Sequence, residues 1–173
     1  KNETVAFVDV LTRMVDNKTF PAMAEGLSDD NPRAVKAIAW ALTSSRNYTP
    51  QLLLELLAKP GISKPAVMDI LASQKGRLSV RELLNHAYNQ EAGEKASLFR
   101  IIGEIADDSA VLELISRIEG KDPIARMHII NILSRFNRPD VAKAIQTQLK
   151  DPNKFIRQAA LNALLKMDGS LEI

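Results

Sequence analysis

The chain has 173 residues, 46% of them hydrophobic and 25% charged, enough apolar material to bury a sizeable core in an ordinary water-soluble composition. It contains no cysteine, which excludes disulfides and thiolate metal ligands, and no apolar run of about 18 residues that would span a membrane. A net charge of +2 gives no overall reason to expect nucleic acid, and a cysteine-free chain fits the cytoplasm.

The first helix is expected over Thr4 to Val15, with Val5, Val8, Leu11, Thr12 and Val15 on one face. Asn17-Lys18-Thr19 breaks it, and a short helix follows from Phe20 to Leu27. Ser28-Asp29-Asp30-Asn31-Pro32 carries a cap and a helix-starting proline, and opens a helix through Leu42. Thr49-Pro50 is expected to cap and start Gln51 to Ala58, which Lys59-Pro60-Gly61 stops. Ser63 caps the next helix, to about Ser73, and Lys75-Gly76 is a turn. Ser79 with Glu82 forms a capping box for Val80 to Asn89. Further helices are expected over Glu91–Ala106, Ser109–Ile118, Pro123–Phe136 and Pro139–Leu149. A further helix follows to Met167, with Asp151 expected as its cap and Pro152 as its first residue, and Ile156, Ala160, Ala163, Leu164 and Met167 buried. No segment alternates as a strand does, so the fold class is all-α.

These helices pair with a period near 30. Leu27, Leu57, Ala87, Ile118 and Leu149 each close a first helix, at spacings of 30, 30, 31 and 31. Within the second helices Lys64, Lys95, Arg126 and Arg157 recur every 31 residues, with Lys36 at 28 before the first. A pair this short cannot bury its apolar face alone, and stacked neighbours supply the missing core. The repeats fall at about 18–46, 47–75, 76–106, 107–137 and 138–168, behind an N-terminal helix within 1–17, in one domain covering 1–173.

The segment Leu149 to Leu164, with Asp151, Arg157, Ala160, Ala163 and Leu164 in register, resembles the short HEAT repeats common in bacterial proteins, and Leu27 through Leu42 is a second match. The repeats at 57–72 and 87–102 lack the Asp-Pro turn and are placed by spacing. The resemblance covers roughly 18–167. It implies an α-solenoid, a right-handed superhelix of about five antiparallel helix pairs whose second helices line the concave side, and a protein-binding scaffold as its use. It also implies that the basic ladder of Lys36, Lys64, Lys95, Arg126 and Arg157 is structural, its heads reaching Asp30, Asp122 or Asp151 in the preceding turns.

On a helical wheel the ladder lies inside the apolar arc, which supports that structural role. The opposite arc of the second helices is the candidate surface. It carries Asp69, then Arg100 and Glu104, then His128, Asn131 and Arg135, then Asn162 and Lys166. Trp40, the single tryptophan, faces the groove or the core according to whether the first repeat registers on Val35 or Lys36.

Catalytic chemistry is thin. His86 and His128 fall in different repeats without metal-type partners, and there is no phosphate loop or nucleophile elbow. Asp29-Asp30 and Asp107-Asp108 sit at helix starts, where capping and the helix dipole explain them. The expectation is therefore a non-catalytic scaffold with no cofactor or metal, binding a protein partner along the groove. A chain opening on Lys1 is expected to be one part of a larger regulatory or signalling protein. The alternative is nucleic-acid binding by the basic C-terminal third, since residues 121–166 hold nine basic and three acidic side chains. A chromophore lyase, which would need a tetrapyrrole pocket, is a further alternative.

Overall fold

A computed structural model describes residues 2–28 and 30–167; Asp29 and the end of the last expected repeat, at residue 168, lie outside them. The described residues form helices α1 (Asn2–Met14), α2 (Phe20–Ala24), α3 (Pro32–Ser44), α4 (Gln51–Leu56), α5 (Lys64–Ser73) and α6 (Val80–Ala87). They continue with α7 (Ala92–Ile105), α8 (Val111–Ser116), α9 (Pro123–Leu133), α10 (Pro139–Gln148) and α11 (Lys154–Lys166). Short 3-10 turns at Glu25–Leu27, Lys75–Arg77 and Asp108–Ala110 precede or follow these helices. The fold is all-α, with a single isolated β-bridge, Ser28 to Ile62, among the described residues.

Side-chain caps set several of the helix starts. Asn31 accepts from the Ala34 N–H, Ser63 from Ala66 and Asp122 from Ala125, each satisfying an amide the helix leaves open. Ser79 and Glu82 close the expected capping box in both directions. Two expected caps are wrong. The Thr49 hydroxyl accepts from Asn17, and α4 starts without a side-chain cap. Asp151 and Pro152 lie ahead of α11, whose cap is Asn153, accepting from Phe155 at 2.8 Å. Asp151 instead accepts from the Asn153 N–H and from Arg126, so its carboxylate serves the turn.

The chain divides into two compact units, Lys1–Glu82 and Leu83–Ile173. In the first, α3 packs on α1 on one side and on α5 on the other, while α4 packs against α5. The helix α1 thus takes the place of a second helix beside α3. Contacts one repeat apart hold this unit. Asn47 donates to the Val15 carbonyl at the end of α1, and the Ser63 N–H donates to Leu27 at 2.8 Å. Gln74, which is buried, donates from its amide to the carbonyls of Leu42 and Ser45, both at 3.0 Å, where α3 runs out of internal donors. The Tyr48 hydroxyl donates to the same Leu42 carbonyl, and its ring stacks on Phe20. Burial pushes the Tyr48 phenol up to about 12.

In the second unit α9 packs on both α7 and α11, α8 and α10 pack on each other, and each pairs with the helix that follows it. Second helix therefore lies on second helix and first on first, the arrangement of a repeat stack. The expected neighbours at 123–136 and 152–167 do touch. Leu42 and Leu71 in the first unit, and Ile102, Leu133 and Leu164 in the second, are fully buried. They are seven residues beyond Val35, Lys64, Lys95, Arg126 and Arg157. The first repeat is therefore registered on Val35, and Lys36, which is exposed, is not a rung of the ladder.

Candidate functional site

The remaining basic rungs of the second unit are bound into the fold. Lys95, 8% exposed, donates from Nζ to Asp122 Oδ2 at 2.5 Å. Arg126 donates to Asp151 Oδ2 at 2.6 Å, to the Ile118 carbonyl at 2.7 Å and to Gln148 Oε1 at 2.5 Å. Lys95 and Arg126 thus reach forward, to the turn of the following repeat, which corrects for these two the expectation of an Asp in the preceding turn. Arg157 donates to the carbonyls of Asp151 and Pro152. Asp30 accepts from Ser28 and takes no part in the ladder. Burial pushes the Asp122 carboxyl up, but the Lys95 ammonium and the Ala125 N–H outweigh it and hold the group below its ordinary value. The Arg126 guanidinium and the Asn153 N–H hold Asp151 below its ordinary value as well.

Five residues past each rung the chain turns outward. In the second unit this column is Arg100 on α7, Asn131 on α9 and Asn162 on α11, and all three are exposed. Asn131 and Asn162 line a crevice of about 260 Å³ between α9 and α11, with Lys166 at its rim and Met127 and Phe155 as apolar walls. Lys166 donates to Asn131 Oδ1 at 3.4 Å and Gln158 donates to Asn162 Oδ1 at 2.9 Å. With both oxygens engaged, each amide keeps N–H groups to offer a ligand. Glu104 is exposed on α7. Arg135 follows α9 and reaches back over it, donating to the Gly103 carbonyl at 3.0 Å. Gly103 makes that approach feasible, since a Cβ there would lie 3.1 Å from the guanidinium.

His128 behaves differently from the rest of the expected set. Its ring is half-buried and stacks on Phe99, centroids 4.9 Å apart and planes 10° from parallel. Burial holds the imidazole below its ordinary pKa, opposed by the Asp122 carboxylate. The stack sets it apart from the exposed residues of the expected set.

Trp40 and Asp69 lie in the first unit, at the same column on α3 and α5, and both are exposed, Trp40 at 61%. The registration on Val35 decides the question the sequence left open: Trp40 points outward. It lines a cleft of about 410 Å³ together with Arg33, Lys36 and Ala37 of α3. Val5, Val8 and Asp9 of α1 form the facing wall.

Sequence reasoning missed Met127, Phe155 and the α1 wall because it read the outward arc for polar groups alone. The apolar residues placed at polar-arc positions were the available signal. Among the described residues, no group of three His, Asp or Glu is placed to hold a metal ion, and no helix is long and apolar enough to cross a membrane. Residues 80–165 match the family described as HEAT repeats, the segment that contains α6 to α10 and nearly all of α11. No curated protein matches the chain.

Proposed function

Because this chain belongs to the HEAT repeat family, whose members generally mediate protein–protein interaction, we propose that it is a non-catalytic scaffold that binds a protein partner along its second helices. In the second unit the binding face comprises Arg100, Asn131, Arg135, Asn162 and Lys166, with Met127 and Phe155 supplying apolar contact. The observation that carries this reading is the exposed column on α7, α9 and α11, with the crevice beside it. The ladder charges one turn away are engaged internally, so the two sets of polar residues differ in role. Aromatic and arginine side chains at the centre of such a face supply most of the binding energy, and the charged rim sets on-rate and specificity.

Of the nine basic side chains that favoured nucleic acid, Arg126, Arg138 and Arg157 donate to carboxylates or carbonyls of the chain itself, which leaves that alternative the weaker reading. A cytoplasmic setting for this chain is part of the same proposal.

A photo-crosslinking residue at position 131 or 162 tests the proposal against the same residue at Lys143, on the first helix α10. Adducts to one protein from 131 and 162, absent from 143, support the reading. Equal labelling from all three positions, or adducts only to nucleic acid, contradicts it.

A further inference from the structure

The cleft of the first unit has a lining chemistry of its own. Along α3, Arg33, Lys36, Ala37 and Trp40 occur at spacings of three, four and seven, which puts them on one stripe of the helix. That stripe runs about 10 Å, at roughly 1.5 Å per residue. Two cations occupy its start and the indole its end. Opposite them, α1 presents Val5 and Val8, with Asp9 as the one carboxylate among the described lining residues. Val5 is 63% exposed and Trp40 61%, so water covers a large apolar surface here. An apolar patch of this kind, rimmed by charge, marks an interaction surface.

We propose that this cleft binds a peptide segment of a protein partner carrying a large apolar side chain flanked by carboxylates. The apolar group would lie between the Trp40 ring and Val5, on the small floor that Ala37 leaves. A volume of about 410 Å³ holds such a side chain with its neighbouring backbone. The charges choose the flank. Arg33 and Lys36 share one wall, Asp9 stands on the other, and the net charge of the lining is positive, so carboxylates are drawn to the α3 side and repelled from α1. A basic segment would set its charge against two cations. A neutral one would cover both cations without supplying a counter-charge. The proposal does not rest on the face formed by α7, α9 and α11, and its readout lies wholly in α3.

The chain contains one tryptophan, so its emission reports on this cleft alone. The probe is a short Trp-free peptide with one Phe flanked by Glu, compared with its Lys-flanked counterpart and with dodecanoate. The expected result is a saturable blue shift of Trp40 emission with the Glu peptide only. Val5→Glu, at an exposed position that does not disturb the core, weakens it by about tenfold or more. Arg33→Glu with Lys36→Glu, both exposed, reverses the preference toward the Lys peptide, and far-UV circular dichroism shows that the helices are intact. Val5→Glu gives a second, independent reading should the charge reversal perturb folding. Absence of a shift with the Glu peptide overturns the proposal. So does an equal shift with both peptides, or a shift with dodecanoate alone, which would assign the cleft to a small amphiphile.

Discussion

Arg126 on α9 donates to the Asp151 carboxylate 25 residues later, at 2.6 Å, and Lys95 on α7 does the same to Asp122, 27 residues later. Each cation leaves its own helix pair and closes on the turn that opens the next second helix or leads into it. Both carboxylates also accept a backbone N–H there, Ala125 for Asp122 and Asn153 for Asp151. One acid therefore fixes a turn and joins two repeats, a network confined to nearest neighbours as a stack requires.

Removing a rung should cost more than removing a surface pair. Lys95→Met keeps the stem packed but leaves Asp122 without its cation, and should destabilise the second unit by about 1–3 kcal/mol. Asp140→Asn breaks a pair with Arg138 at the exposed start of α10 and should leave the melting temperature unchanged. Thermal unfolding followed by circular dichroism compares the two.

Acid should weaken the second unit in two stages, both with the same sign. His128 is held below its ordinary value of 6.5, so the unfolded chain takes up the proton first. The stability contributed by its neutral ring is complete above that value and is lost as pH falls through it. Asp122 and Asp151 lie below their ordinary value of 3.8, so their contribution persists to lower pH and is lost as pH falls through their folded values. His128→Phe, which retains the stack on Phe99, should abolish the first stage and spare the second. Urea midpoints measured across pH 3 to 8 on the order of one unit apart test this.

The first unit should depend on one buried amide. Gln74→Leu removes one donor from each of the carbonyls of Leu42 and Ser45, the first of which keeps the Tyr48 hydroxyl, and one acceptor from Arg77. A loss of about 1–3 kcal/mol is expected, seen in urea unfolding followed by Trp40 emission. Replacement by Glu would place a carboxylate against those same carbonyls and should cost more.

Substitutions on the outward column should behave in the opposite way. Asn131→Ala and Asn162→Ala alter exposed side chains whose hydrogen bonds lie at the surface, so stability should stay within about 0.5 kcal/mol. Capture of a crosslinked partner should nonetheless fall sharply. An equal loss of stability and binding would mean that these residues hold the fold.

The period of the fold was legible because burial repeats with it: Leu42, Leu71, Ile102, Leu133 and Leu164 are core residues that any apolar count finds. The outward column at Asp69, Arg100, Asn131 and Asn162 followed from the same arithmetic. The first repeat misled because its nearest basic residue, Lys36, lies one position past the true rung. The correct register was also written in the chain, since Pro32 precedes Val35 by three residues as Pro123 precedes Arg126 and each begins its helix. The helix α11 begins three residues before Arg157 by the same rule, which is why Asp151 and Pro152 stand outside it. The direction in which a rung reaches could not be read, because Asp122 and Asp151 are close in sequence to one cation and close in space to another. Stacking of His128 on Phe99 was likewise hidden, since both fit a helical pattern without any sign that their rings meet.

The most direct test uses the absence of native cysteine. Spin labels on paired cysteines at positions 100, 131 and 162 measure three distances within the second unit. A stack places the 100–131 and 131–162 pairs about one interhelical spacing apart, roughly 10 Å between axes, and the 100–162 pair about twice that. Three similar distances would describe helices closed into a bundle and would contradict the account.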